Sequence, residues 1–512
     1  MRVKNSIINI SVGIGNQLII TLLSFFSRTV FIQTLGLDYL GINGLFTNIL
    51  AMLSLAEAGI GSSIIYSLYK PVAENDEHKI NVLMKLYKKT YTIISCIILL
   101  LGLMVLPFLH LFTKDTSIQH LYVIYILFLL NTAIPYLFTY RTNLLNVYQK
   151  SYIATGIFSV SSILSTSLKI GILYRTQNYI LFLIIDSTIT VINSAILFYV
   201  VGRMYPFLKQ KVTSKLDLTS KRSILKNVKA IVLQNIGTYL IYSTDNLIIS
   251  YYVNVAAVGL YSNYFMFIEI CRTFINQVFN NIYYSIGNLV AKESKETIFQ
   301  VYKVTMLLNF WLYSMFAIVL YVIMEPLITI WIGPQFLMDN FVLLVLVVTF
   351  YERGMRNSIS AVKTTAGIFH EDRYVPLLQA AINLVCSIVL VQYLGIAGVF
   401  IGTLISAMLI PFWTTPYFVY KQIFHKSIFH YFFSYGYYAL IGVGTSIVTY
   451  YVSSFIGGES WRSFILKAAV SLVLPNLIYI IVFYKRTEFK YLWGICLGLL
   501  GKFHVKKKVV VG

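Results

Sequence analysis

Charged side chains fall inside long apolar runs, among them Arg28, Glu57, Lys169, Asp186, Asp245, Glu269, Arg272, Glu325, Glu352, Arg353 and Arg356. A charge near the centre of a bilayer costs at least about 2.5–3.5 kcal/mol, so such residues face a cavity or a partner. Guanidinium groups keep their charge at any relevant pH and clamp phosphate oxygens through paired hydrogen bonds. Arg28, Glu57, Lys169, Arg353 and Arg356 are therefore the candidate substrate-binding residues, the cations suiting an anionic headgroup. Glu57, alone in AMLSLAEAGIGSSIIYSLYK, either balances Arg28 in such a cavity or pairs with it as a helix-packing salt bridge.

The remaining charges allow two readings each. EICR places Glu269 and Arg272 three residues apart on one helix face, the spacing of a structural ion pair. YERGMRNS sets Arg353 and Arg356 on one face around Gly354, as a cavity or gate, or as a shifted helix end. Asp245, in YLIYSTDNLIIS, could ligate a sodium ion or carry a proton, and its polar neighbours Thr244 and Asn246 equally suit a structural aspartate. Motifs of catalysis are missing: the seven histidines lie at span ends or in loops, with no nucleophile elbow, HExxH or phosphate-cradling glycine loop. The four cysteines are isolated, without metal-ligand spacing. The chain is expected to be no enzyme, with free thiols, no metal and no cofactor.

The elements that position these residues follow from composition. Of 512 residues, 58% are hydrophobic and 12% charged, and mean hydropathy is +0.76, against about 25% charged in soluble domains. Apolar runs of membrane-spanning length recur from end to end, fourteen in all, centred near residues 20, 55, 100, 130, 163, 189, 240, 270, 312, 350, 384, 408, 443 and 473. They lack the alternation of barrel strands, so they are helices. With the N-terminus inside, the inner segments carry 31 of the 40 Lys and Arg, the outer segments three, and six fall within spans. That asymmetry predicts both termini inside and explains the net charge of +21 without a nucleic-acid partner.

An internal repeat is visible. FIQTLGLDYLGINGLFTNIL aligns with IISYYVNVAAVGLYSNYFMF, Gly41 on Gly259, and Tyr152 aligns with Tyr374 at nearly the same offset. The repeat predicts an N-terminal six-helix lobe over 1–202, a basic cytoplasmic linker over 203–226 and a C-terminal six-helix lobe over 227–421. Two additional helices over 422–484 and a basic cytoplasmic tail over 485–512 follow. Such halves suit alternating access about an axis along the membrane normal.

LGLDYLGINGLFTNILAMLSLAEAGIGSSIIYSLYKPVAENDEHKI, YLFTYRTNLLNVYQKSYI, STDNLIIS, VGLYSNY and SIGNLVAK resemble the Wzx-type polysaccharide repeat-unit flippases of the multidrug/oligosaccharidyl-lipid/polysaccharide exporter superfamily. The resemblance implies an all-α, MATE-like fold of two six-helix lobes plus two helices. It implies a bacterial cytoplasmic membrane protein that moves undecaprenyl-diphosphate-linked oligosaccharide outward for capsule or other surface-polymer assembly. Membrane lipids, a coupling sodium ion or proton, and polysaccharide assembly proteins are the partners it implies. Related lipid II flippases hold diphosphate on first-lobe arginines, which makes Arg28 the first candidate. A cation-coupled multidrug antiporter and a membrane-embedded polymerase are the alternatives; the first calls for acids to outweigh arginines, the second for a large outward loop.

Overall fold

The computed structural model describes residues 2–57, 60–113, 118–210, 237, 239–241, 243–292, 294–366, 368, 371–458 and 460–494. Most of the basic linker, the tail beyond 494 and Cys496 lie outside them. The secondary structure of the described residues is helical, without strands. In order they form α1 (Arg2–Leu53), a 3-10 turn (Ser54–Glu57), α2 (Ile60–Ala73), α3 (Glu77–Val105), α4 (Leu121–Val147), α5 (Ser151–Thr176) and α6 (Tyr179–Met204). Residues 243–252 form α7. There follow α8 (Val255–Lys292), α9 (Lys295–Trp331), α10 (Asn340–Met355), α11 (Asn357–Thr365), α12 (Val375–Leu394), α13 (Ile396–Leu409), α14 (Pro411–Val419), α15 (Phe429–Ser454) and α16 (Trp461–Phe483).

Each of the fourteen expected centres falls on helical backbone, the one near 55 on the 3-10 turn. Among the described residues nine helices are long and apolar enough to cross a membrane. Their outward faces fit that medium: on α5, Phe158, Val160, Ile163, Leu164 and Leu168 are all exposed, a band that water would not tolerate. The protein is a multi-pass membrane protein. Cys96, Cys271 and Cys386 are free.

Packing divides the chain into two units, Met1–Ser262 with Pro376–Leu384 and Val391–Val399, and Asn263–Val375 with Val385–Leu390 and Phe400–Gly512. In the first unit, α1 bends at Gly36, whose φ of +83° suits glycine alone. This bend separates the first two expected spans. Beyond it, Gly41 meets Gly259, the pair aligned by the sequence repeat. A Cβ on Gly259 would come within 2.5 Å of the Leu37 carbonyl oxygen, and one on Gly41 would run into that of Val255. Only glycine lets the two backbones approach so closely. The first unit accordingly runs on to Ser262, inside α8, whose start is wedged against α1.

The second unit is held by aromatic packing. Tyr302, Phe310, Tyr431, Tyr438, Tyr479 and Phe483 belong to one buried cluster joining α9, α15 and α16. Phe310 stacks on Tyr438 at 4.8 Å, and Trp311 Nε1 donates to Asn476 Oδ1 at 2.7 Å. Tyr and Trp suit such a core because each brings a large apolar face and a polar handle.

Candidate functional site

Glu57 closes the 3-10 turn that interrupts the second expected span. Its Oε1 accepts from Tyr91 Oη at 2.5 Å and its Oε2 from Tyr136 Oη at 3.2 Å. Tyr87 Oη donates to Tyr91 Oη at 3.4 Å and accepts from Asn143 Nδ2 at 2.7 Å. Tyr87 and Tyr91, one turn apart on α3, are wholly buried, with ring centres 4.7 Å apart. Tyr136 and Asn143 lie two turns apart on one face of α4. The carboxylate thus ends a relay of neutral donors drawn from two helices. The expected salt bridge with Arg28 is not made: among the described residues no Lys or Arg approaches Glu57 within 4.0 Å. The helix break turns Glu57 toward α3 and α4, where tyrosine hydroxyls reach it first.

Arg28, partly buried on α1, donates from Nη2 to Ser262 Oγ at 2.5 Å. Ser262 in turn donates to the Gly259 carbonyl at 2.8 Å, one turn from the glycine contact. Lys169 is differently placed. Its Nζ lies 2.6 Å from Asp186 Oδ1 and 4.8 Å from the centre of the Phe182 ring. Ser165 Oγ also donates to Oδ1 at 3.1 Å, and Asn131 Nδ2 to Oδ2 at 3.3 Å. Two helices, α4 and α5, satisfy one carboxylate of α6 here, and the lysine charge is neutralised within the protein. Asp245 is buried on α7. Beside it, Thr244 Oγ1 donates to the Leu240 carbonyl at 2.8 Å and Asn246 Nδ2 to that of Gly44 at 3.5 Å.

In the second unit, YERGMRNS straddles the junction of α10 and α11. Arg356 folds back on Glu352, with Nε 2.6 Å from Oε1 and Nη2 donating to Oε2 at 3.0 Å. Asn309 Nδ2 donates to the Gly354 carbonyl at 2.8 Å, and Asn357 Nδ2 to Tyr313 Oη at 2.6 Å, stitching the junction to α9. Arg353 is partly buried at the end of α10. On α8, Arg272 Nη2 donates to Glu269 Oε2 at 2.5 Å.

No family model matches the chain, and no curated protein matches it in sequence. Solved structures match its fold. The lipid II flippase MurJ, in an inward closed conformation, does so with a TM-score of 0.61 over 94% of this chain and 99% of its own, at 15% identity. An inward-facing multidrug resistance MATE family transporter of the MOP superfamily gives 0.59 over 78% of this chain and 95% of its own, at 14% identity. The Vibrio cholerae MATE transporter VcmN in its bent form gives 0.55 over 82% and 98%, at 15% identity. This chain has the MATE-like fold.

Within this MATE-like chain, the sequence reading lacked the partners more than the charges. Tyr87, Tyr91, Tyr136, Asn143 and Ser262 gave no signal individually among 40 tyrosines and many hydroxyls. The tyrosine pair at i and i+4, and Tyr136 and Asn143 at i and i+7, are the helical spacings that mark them.

Proposed function

We propose that this chain is a membrane transporter of the MOP superfamily and no enzyme. In this reading it flips undecaprenyl-diphosphate-linked oligosaccharide from the cytoplasmic to the outer leaflet of a bacterial cytoplasmic membrane by alternating access, both termini lying inside. The product would feed surface-polysaccharide assembly proteins. The observation that carries the reading is the extent of the fold likeness. The match to MurJ, named a lipid II flippase, leaves out 6% of this chain, fewer residues than α15 and α16 hold, so it runs into the helices beyond the two lobes. The matches to the inward-facing MATE transporter and to VcmN leave out 22% and 18%.

Arg28 is the proposed diphosphate contact: its fork is permanently charged and set against the hydroxyl of Ser262. Glu57 is the proposed switch, an acid among neutral donors whose charge substrate or ion binding can alter. Lys169 and Arg356 take part through their carboxylates, Asp186 and Glu352, and Arg353 is proposed as a contact for anionic substrate in the second unit. Asp245 stays a proposed coupling-ion ligand. One observation favours cation-coupled drug antiport instead: Glu57 is ringed by tyrosine faces and hydroxyls, a surrounding that also suits an organic cation.

The deciding experiment follows a fluorescent undecaprenyl-diphosphate oligosaccharide in proteoliposomes holding wild type, Arg28→Ala or Arg28→Lys at equal reconstitution. Wild type should move the lipid, Arg28→Ala should fail, and Arg28→Lys, which keeps the charge without the fork, should fall between. A wild type inert across several glycans and ion gradients would sink the flippase reading in favour of antiport.

A further inference from the structure

Two opposite charges of the second unit play no part in the transport reading. Glu325 lies six residues before the end of α9, and Lys467 six residues after the start of α16, each about 9 Å in from its helix end. They line one polar cavity of 290 Å³ with Thr329, Ser453 and Ser454, yet do not approach each other within ion-pair distance. Ser453 is 3% exposed, and its hydroxyl is buried without a hydrogen-bond partner. Two opposite charges and an unsatisfied hydroxyl around one cup match a ligand bearing both signs.

The cup opens onto a second cavity. Tyr321 and Tyr450, whose rings lie 5.7 Å apart, line both. Beyond them runs an apolar slot of 390 Å³ between α9, α10 and α15, floored by residues such as Ile318, Val347 and Gly442. Its α15 wall extends from Ala439 to Tyr451, about 18 Å of helix, close to half of a ~30 Å hydrocarbon core. Val443, Ile447 and Tyr451 on that wall are exposed, so the slot is reached from the hydrocarbon side. An apolar groove of one-leaflet length ending in a two-sign cup has the form of a bound amphiphile.

From this juxtaposition we infer that the second unit carries a binding site for a zwitterionic phospholipid with a primary ammonium headgroup, of the phosphatidylethanolamine kind. One acyl chain lies in the slot, the phosphate accepts from Lys467 and the ammonium donates to Glu325. The Ser453 hydroxyl serves either group. A phosphatidylcholine fits the slot but has no N–H to give Glu325, and an anionic phosphatidylglycerol meets Glu325 with the wrong sign.

The test is native mass spectrometry of the full-length protein in detergent, titrated separately with dioleoyl phosphatidylethanolamine, phosphatidylcholine and phosphatidylglycerol. Wild type should retain one phosphatidylethanolamine with roughly tenfold preference over the other two, the worth of about one charge-assisted hydrogen bond. Lys467→Met should lower that retention by a similar factor, and Glu325→Gln should erase the preference over phosphatidylcholine. Ser446→Phe, which fills the slot and leaves both charges in place, should weaken all three lipids, and it decides the matter if a charge variant misfolds. Equal retention of the three lipids, a preference for phosphatidylglycerol, or wild-type retention by well-folded variants would overturn the assignment.

Discussion

Glu57 and Glu352 each sit beside an interruption in a membrane helix, and the two units treat them in opposite ways. Glu352, 3% exposed, is held in cis by Arg356 one turn on, at 2.6 and 3.0 Å. Its charge is cancelled by a cation of fixed sign four residues along the chain, and Asn309 and Asn357 pin the junction to α9. Glu57 has no cation in reach among the described residues and depends on tyrosine hydroxyls. A hydroxyl can donate to a carboxylate or accept from a carboxylic acid, so that cluster is satisfied in either protonation state. A guanidinium cannot accept. The same local device therefore gives a carboxylate held by a fixed cation in one unit and one held by hydroxyls, which suit either protonation state, in the other.

The comparison breaks most visibly at Arg356. Arg356→Ala strands a buried carboxylate, and removing one partner of such a pair costs about 3–5 kcal/mol. A fall of that size in thermal stability in detergent is expected, with most of it regained in the double variant Glu352→Gln, Arg356→Gln. If Arg356→Ala melts like wild type, the second unit's joint is not held by charge. Tyr91→Phe is next. It deletes the 2.5 Å hydrogen bond to Glu57, and since interhelical hydrogen bonds in membranes average about 0.6 and reach about 1.7 kcal/mol, a loss near the upper value is expected. Tyr136→Phe removes the 3.2 Å bond and should cost nearer the average of about 0.6 kcal/mol. Equal losses for the two tyrosines would mean that Glu57 does not lean on Tyr91.

How far these sites were legible depends on whether the partner shares a helix. Glu269 with Arg272 follows from spacing alone, because three or four residues along a helix is one turn; Glu352 and Arg356 have the same kind of spacing, but the sequence set Arg356 with Arg353 and left that pair undrawn. Lys169 and Asp186 were legible in principle: they lie at matching distances from the α5–α6 turn at Gln177 and Asn178, so a helical hairpin sets them level. The partners of Glu57 were not, since they come from α3 and α4. Arg28 seemed the obvious counter-ion by charge, but the turn at Ser54–Glu57 redirects the side chain. The fourteen span centres were readable because hydrocarbon thickness fixes helix length. The bend at Gly36 and the contact of Gly41 with Gly259 show how the first two spans separate and where backbones touch, which hydropathy does not encode.

The smallest change in stability is expected from Glu57→Gln, and it sharpens the comparison most. Glutamine keeps an acceptor for Tyr91 and gains an amide that Tyr136 can accept from, so the relay stays bonded and the loss of stability should stay below about 0.6 kcal/mol, the worth of one average interhelical hydrogen bond. What glutamine lacks is the ability to alternate between charged and neutral forms. In the proteoliposome assay, Glu57→Gln should therefore be folded, reconstituted and inactive, whereas Tyr136→Phe keeps the acid and should retain flipping. Normal flipping by a well-folded Glu57→Gln would place Glu57 beside Glu352 as a structural joint, and the distinction between the two units would then rest on Arg28.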